Sequence, residues 1–511
     1  SPNYELAIAE ALPLTASTIY YWAVQPTDEN GVSGTFSAAG SFELDTEAPT
    51  VVSAPVIGGS GVDATETYTY ADDIVLTQDV ADAQADGDLQ IRISEMSDFS
   101  GSTWQQYQDG VSFPLSAFNY DPVNEDSRTV YVKFQDPAGN ETSGYSDTII
   151  FDPNVYVDSV NGSDTTGTGH KNNPFESYYQ ALYELGVWRD TSNNTINASY
   201  SEVSERGGRI DIRFAPGSYP LYKPGTPDDD PFYVRLNASI SLLGGYAADF
   251  NSRGTDSSLA VIQPTYSAVT FIGTSYTQRV DTLSIQGLTA FDNDGNGTPE
   301  SWYDANPAIS IRGSNATVNN VSITVNASTS GSTEYWSRVC GIRVETYYST
   351  GSDSTITDTD ISVGSASSTS AYYAVGTAAV HVNGSSATID NVTVTRAGSG
   401  QSTAVGYTSG SAGVFISNSN STARSVVISN SDITGGGGSY TESTGNTVFD
   451  SVGILIIGDG LSVTIEDSNV IDGGTGADRY GIFSWLPSTT TSVISILEDD
   501  SLTDGSSSES Y

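Results

Sequence analysis

Apolar residues in the second half of the chain recur at every other position in short runs, not at the three-to-four spacing of a helix face. One run returns as AISIR, CGIRVE, AAVHVN, AGVFIS, VGILII and YGIFSW. Its apolar positions form one column of Ile309, Ile342, Val380, Val414, Ile454 and Ile482, and a second of Ile311, Val344, Val382, Ile416, Ile456 and finally Ser484. A period of two places each column on one face of a strand, and irregularly spaced repetition predicts strands stacked as successive coils around a shared core. Cys340 has the parity of Ile342 and Val344, so it is expected inside as a small buried thiol.

A second run returns as TVNNVSI, TITDTDI, TIDNVTV, VISNSDI and TIEDSNV. Two residues after its inward apolar position stand Asn320, Asp358, Asn391, Asn430 and Asp467, with Gly287 in the preceding coil. These residue types tolerate left-handed backbone angles, so the column predicts a tight turn in every coil. Its side chains would hydrogen-bond from one coil to the next as a structural ladder.

The pattern differs before the coils begin. Within residues 1–46, Tyr20, Trp22 and Val24 alternate with polar neighbours as in a half-buried strand. Within 47–152, Val130, Val132 and Phe134 alternate, Gly139 and Asn140 are expected to supply left-handed angles in the turn from Asp136, and Ile149 and Phe151 begin a return strand. After Tyr156 comes the one convincing helix, around 175–185, with Phe175, Tyr178, Tyr179, Leu182 and Leu185 on one stripe. Such a helix would cap the first coil, whose strand edges and core would otherwise be open.

Residues 1–46 resemble the second half of a fibronectin type III domain, with Leu14 and Tyr20 where that family places its tyrosine corner. Residues 47–152 resemble a bacterial immunoglobulin-like domain. Residues 153–511 are similar to the single-stranded right-handed β-helix family, which includes pectate lyases and many bacterial surface proteins. The expected fold is therefore all-β, a right-handed parallel β-helix preceded by immunoglobulin-like β-sandwich modules. Only about half a sandwich fits in the first module, and no second capping helix is evident at SLTDGSSSESY. Both ends are thus expected to expose strand edges. The chain reads as a fragment of a longer surface protein, with completion by neighbouring subunits as the alternative.

Charge narrows the partners. Acidic residues outnumber basic ones 62 to 18, giving a net charge of −44. That balance argues against nucleic acid and anionic membrane, and it disfavours a polyanionic substrate unless bound calcium supplies the missing charge. No run of about twenty apolar residues suggests membrane insertion. With the single cysteine Cys340 no intrachain disulfide can form. The expected location is extracellular or at a bacterial cell surface, and the expected partners are further copies of the chain, other surface proteins or glycans.

Three sets of residues carry candidate chemistry. In FDNDGNGTPESWYD, Asp292, Asp294 and Asn296 alternate before a glycine, with Glu300 beyond and the Thr298 carbonyl available. This resembles the opening of an EF-hand loop and the acidic repeats of thrombospondin type 3, which implies calcium as a cofactor; Tyr303 stands where an EF-hand has its bidentate glutamate. The second set, Arg312, Arg343 and His381, would project outward from consecutive coils beside Glu345. The β-helix resemblance implies that lyases offset a uronate carboxylate with cations and use an Arg or Lys base, so these residues are where catalysis would be sought. Their alternative is ion pairing on a solvated face, and no catalytic residue is assigned outright. With only His170 and His381 in the chain, no Ser-His-Asp triad can be assembled. The third set, Phe415, Leu455, Ile457, Phe483 and Trp485, would form an apolar outward patch and hence an interface, unless a long loop covers it. Together these favour a structural or adhesive surface protein, a filament or surface-layer subunit, over a glycan-binding module or a calcium-dependent polysaccharide lyase.

Overall fold

The computed structural model describes residues 14–503 apart from 16–17, 60, 63–66, 72, 83–87, 117–125, 187, 191–208, 222–231, 237–238, 265–268, 273–276, 289–306, 327–338, 347–349, 368–376, 402–407, 419–421, 439–447, 468–469, 476–478, 487–491 and 497–500. It divides into two compact units, Ser1–Asp152 and Pro153–Tyr511.

In the first unit, alternation builds two sheets that share one core. A three-stranded sheet of Thr50–Gly58, Asp73–Ala81 and Val111–Pro114 contributes Ile57, Ile74 and Leu76. The facing five-stranded sheet, which includes Gln90–Ser94, Asp126–Gln135 and Tyr145–Phe151, contributes Ile91, Val130, Val132, Phe134 and Ile149. All eight of these side chains are fully buried. At the turn after Phe134, Gly139 has a φ of 96°, but Asn140 is not left-handed. Instead its backbone and side-chain N–H groups both donate to the Asp136 carboxylate, at 2.9 and 2.8 Å, which closes the turn without a second left-handed residue. A separate antiparallel pair, Ile19–Trp22 and Gly40–Glu43, stacks Tyr20 on Phe42 at 5.6 Å, and the Tyr20 hydroxyl accepts from the Thr15 backbone N–H at 2.5 Å.

The second unit is a parallel β-helix. The helix Tyr178–Glu184 opens it, with the Ser177 side chain accepting from the Gln180 N–H as its N-cap. Successive coils then feed two long parallel sheets. One runs through Arg209–Phe214, Ser239–Leu243, Gln278–Leu288, Ala316–Val325, Asp353–Val363, Ser386–Arg396, Arg424–Ser429 and Leu461–Glu466. The other runs through Val269–Ile272, Ile309–Arg312, Val339–Glu345, Thr377–Asn383, Thr408–Asn418, Val448–Gly458 and Arg479–Trp485. Ile309, Ile342, Val380, Val414 and Ile454 are all fully buried in one core, with Ile482 packed against its end.

In six successive coils of the first sheet the chain bends at one left-handed residue, within the strand or directly after it. Asn320, Asp358, Asn391, Asn430 and Asp467 have φ between 48° and 64°. The bend resets the alternation: Val318 faces in before it, Val321 and Ile323 after it. In the preceding coil the matching residue is Thr282, at φ 56°, and not Gly287, whose φ of 99° accompanies a register shift between Gln286 and Leu288. The pairing of Asp281 with Asn319 and Leu283 with Val321 fixes that correspondence.

The second sheet has a corner of its own, and it corrects the placement of Cys340. Ala379 and Val380 are consecutive yet both belong to the main core, whereas Ala378 and Cys340 belong to a separate outer cluster. The chain turns inward at the Gly341 column. A Cβ on Gly341, Gly413 or Gly453 would come within 2.7, 2.5 and 2.7 Å of Ile361, Ile433 and Ile471 respectively. Parity therefore changes across these glycines, and Cys340, although fully buried, lies outside the central stack.

Candidate functional site

The corner leaves two outward columns in register on the second sheet. One is Ser310, Arg343, His381, Phe415, Leu455 and Phe483; its neighbour is Arg312, Glu345, Asn383, Ser417 and Ile457, with Trp485 next in backbone register. Parallel pairing sets adjacent members about 4.8 Å apart. Arg312 lies beside Glu345, and Arg343 beside His381.

The chemistry of these residues follows from their neighbours. Arg312 Nε is 2.8 Å from Glu345 Oε1. His381 is 1% exposed and stacks on the Phe415 ring at 4.5 Å with an interplanar angle of 16°. Its Nε2 is 3.2 Å from Ser417 Oγ, which donates to Asn383 Oδ1 at 3.2 Å. With Ser417 donating to Asn383, the arrangement suits the tautomer that carries its hydrogen on Nε2. Burial first, and the Arg343 charge second, push the His381 pKa well below its ordinary value, so the ring is neutral near pH 7. The face thus brings Arg312, Arg343 and His381 together as expected from the sequence, but with His381 closed off and Arg312 paired with Glu345.

The same columns change the picture of the apolar patch. Phe415 and Leu455 are each 3% exposed and belong, with Cys340, Ala378, Ala412 and Val452, to the outer buried cluster; Ile457 and Phe483 are half-buried at its margin. The centre of the patch is therefore not open, and its role as a contact surface would require these side chains to be uncovered. Only the backbone register of Trp485, opposite Ile457, is described. Packing against His381 accounts for Phe415 without a partner molecule.

The ladder residues bond along the stack. Asn391 Nδ2 donates to Asp358 Oδ1 at 2.5 Å, Asn430 Nδ2 to Asp390 Oδ1 at 2.8 Å, and Asn320 Nδ2 to Thr282 Oγ1 at 3.2 Å.

The loop expected from the sequence to bind calcium, Asp292, Asp294, Asn296, Thr298 and Glu300, lies outside the described residues. A second acidic group, not singled out from the sequence, sits in the first unit. Asp45, Asp82 and Asp136 each offer a carboxylate oxygen within 4.8 Å of the others. Three carboxylates this close suit a hard divalent cation, but Asp136 already accepts both bonds from Asn140. Their wide separation along the chain hid the group; the Asp136 turn was its only local sign.

No protein-family model matches the chain, and no curated protein matches it. Among solved structures it is similar to a family 28 exopolygalacturonase of Yersinia enterocolitica, at 9% identity over 90% of this chain and 100% of that one, with a TM-score of 0.16. It is also similar to tailspike protein 3 of bacteriophage CBA120, at 12% identity over 63% of this chain and 60% of that one, with a TM-score of 0.14. At these scores neither likeness bears on the site, and the β-helix rests on the parallel registers themselves. Among the described residues, no helix is long and apolar enough to cross a membrane.

Proposed function

We propose that this chain is an extracellular surface protein with a structural or adhesive role, its β-helix carried on immunoglobulin-like and fibronectin-like sandwich modules. The observation that supports this reading is the lateral register of the first sheet, in which the half-buried Thr317, Thr355, Thr388, Val427 and Thr464 stand side by side on five adjacent strands. A stack in register repeats side chains at fixed spacing, which suits extended contact with a repeating partner, a glycan or further copies of the chain. Calcium at Asp292, Asp294, Asn296, Glu300 and the Thr298 carbonyl belongs to the same reading, as a stiffener of the segment between coils. Electron microscopy and retention on immobilised glycans test it: ordered assemblies or specific retention support it, whereas a monodisperse monomer that binds none of the glycans counts against it.

A second reading, a calcium-dependent polysaccharide lyase, draws on Arg312 and Arg343 as diagonal neighbours on adjacent strands. Lyase action on a uronate polymer leaves an unsaturated product whose ultraviolet absorbance is read directly. Activity that disappears in Arg343→Gln would replace the structural reading.

A further inference from the structure

The outer cluster on the second sheet is a layer apart from the central core, although the same strands supply both. Val380, Val382, Val414 and Ile416 belong to the core, whereas Ala378, Ala412 and Phe415 belong to the cluster with Cys340, Val452 and Leu455. The two share no side chain, so water can reach the outward layer while the coil stack stays closed. His381 stands in the outward column of Phe415 and Leu455, between Arg343 on one neighbouring strand and Phe415 on the other. It is buried, its ring lies flat against Phe415 at 4.5 Å, and its Nε2 is 3.2 Å from Ser417 Oγ on that same strand.

A proton on this ring would have to be held without water, one strand from Arg343. The Phe415 face attracts a cation, but burial, followed by Arg343, outweighs it and holds the His381 pKa well below the ordinary value. Among the described residues, the other charged groups nearby are Glu345 on Val339–Glu345 and Arg312 beyond it, which pair with each other at 2.8 Å. Thr408–Asn418 carries no charged residue, and the ionisable members of the cluster, the Cys340 thiol and the Tyr480 phenol, bear no charge in acid. A hydrated imidazole titrates near 6.5. The closed layer therefore excludes a proton that the open layer accepts, and lowering the pH through about 6.5 shifts the balance toward the open form.

We propose that His381 is an acid-sensitive latch on the outer cluster: on taking up a proton it leaves its stack on Phe415, and the layer of Cys340, Phe415 and Leu455 opens to water while the coil stack stays intact. The open form is a minor population at neutral pH. Each pH unit below about 6.5 multiplies it by up to about ten, and neutralisation closes it again. Acid thus uncovers an apolar surface that is sealed at neutral pH.

Cys340, fully buried and the single cysteine of the chain, reports the opening. Its rate of reaction with dithiodipyridine, which labels thiols in acid, is measured on the full chain between pH 7 and pH 5. Dividing by the rate for the urea-unfolded chain at the same pH removes the pH dependence of the thiol itself. The ratio is expected to rise about twentyfold from pH 7 to pH 5 in wild type and to stay level in His381→Gln. It is also expected to change little in dilute urea, because a local opening exposes little surface. A level ratio in wild type, an equal rise in His381→Gln, or a urea dependence as steep as that of global unfolding overturns the proposal. Should His381→Gln fail to fold, His381→Phe, which keeps an aromatic ring against Phe415 and cannot be protonated, takes its place with the same expected outcome.

Discussion

His381 is held neutral by exclusion of water and by Arg343, and its contact with Ser417 is satisfied by the neutral ring. The unfolded chain takes up a proton at this residue as pH falls through about 6.5, the ordinary histidine value, whereas the folded chain does not. Above that pH neither state is protonated and the residue adds no pH dependence. Below it, stability falls by up to about 1.4 kcal/mol per pH unit from this residue, until the depressed folded pKa is reached. Carboxylates add their own acid sensitivity, so the measurable quantity is a difference in slope. Denaturation of wild type and His381→Gln between pH 7 and pH 5 should show a shallower loss in the variant; parallel curves would mean that the folded ring takes up its proton normally. Phe415→Ala should hydrate the imidazole and return its pKa toward 6.5, measurable from the histidine ring resonances. The same variant should cost about 3–5 kcal/mol as a large-to-small change at a buried site.

At the scale of the strand pair, the left-handed ladder shows what sequence periodicity conveys and where it stops. Asn320, Asp358, Asn391, Asn430 and Asp467 were legible because few residue types accept positive φ, and all five do so. Thr282 was not legible, because a β-branched residue is among the least suited to φ 56° and nothing local marks it. Its hydroxyl explains the exception in part: it donates to Asp281 at 2.9 Å and accepts from Asn320 at 3.2 Å, so the coil-to-coil bonding survives. Two substitutions should therefore move the thermal midpoint in opposite directions. Thr282→Asn keeps a hydrogen-bonding side chain while relieving the backbone, and should raise it. Asn430→Ala puts at φ 49° a residue less tolerant of left-handed angles than Asn and removes the bond to Asp390; it should lower stability by about 1–2 kcal/mol. The side on which Cys340 lies was hidden for a related reason. Strict alternation carried it inward, but the Gly341 corner reverses parity, and a glycine in a strand does not by itself announce a corner. The burial of Phe415 and Leu455 was beyond the repeat altogether, since a column of strand residues fixes direction and not what lies over it.

Across the whole molecule the strongest influence is charge. With 62 acidic against 18 basic residues, self-repulsion opposes the compact state everywhere, and any salt relieves it over a Debye length of about 10 Å at 0.1 M. Calcium added to this protein should therefore act in two separable ways. Diffuse screening raises stability gradually, and sodium chloride at equal ionic strength reproduces it. Binding at the proposed loop of Asp292, Asp294, Asn296 and Glu300 instead saturates, and magnesium cannot replace it, because that smaller ion demands strict octahedral geometry and retains its waters. Calorimetric titration of the full chain at 0.1 M salt removes most of the diffuse part and leaves the saturable heat. That heat should be lost in Asp292→Ala/Asp294→Ala, while the dependence of the thermal midpoint on sodium chloride stays as in wild type. If the double variant binds calcium with unchanged affinity, the loop is an acidic turn and not a metal site. If the salt dependence changes together with the heat, the two carboxylates act through the general field, and calcium loses its place in the functional reading.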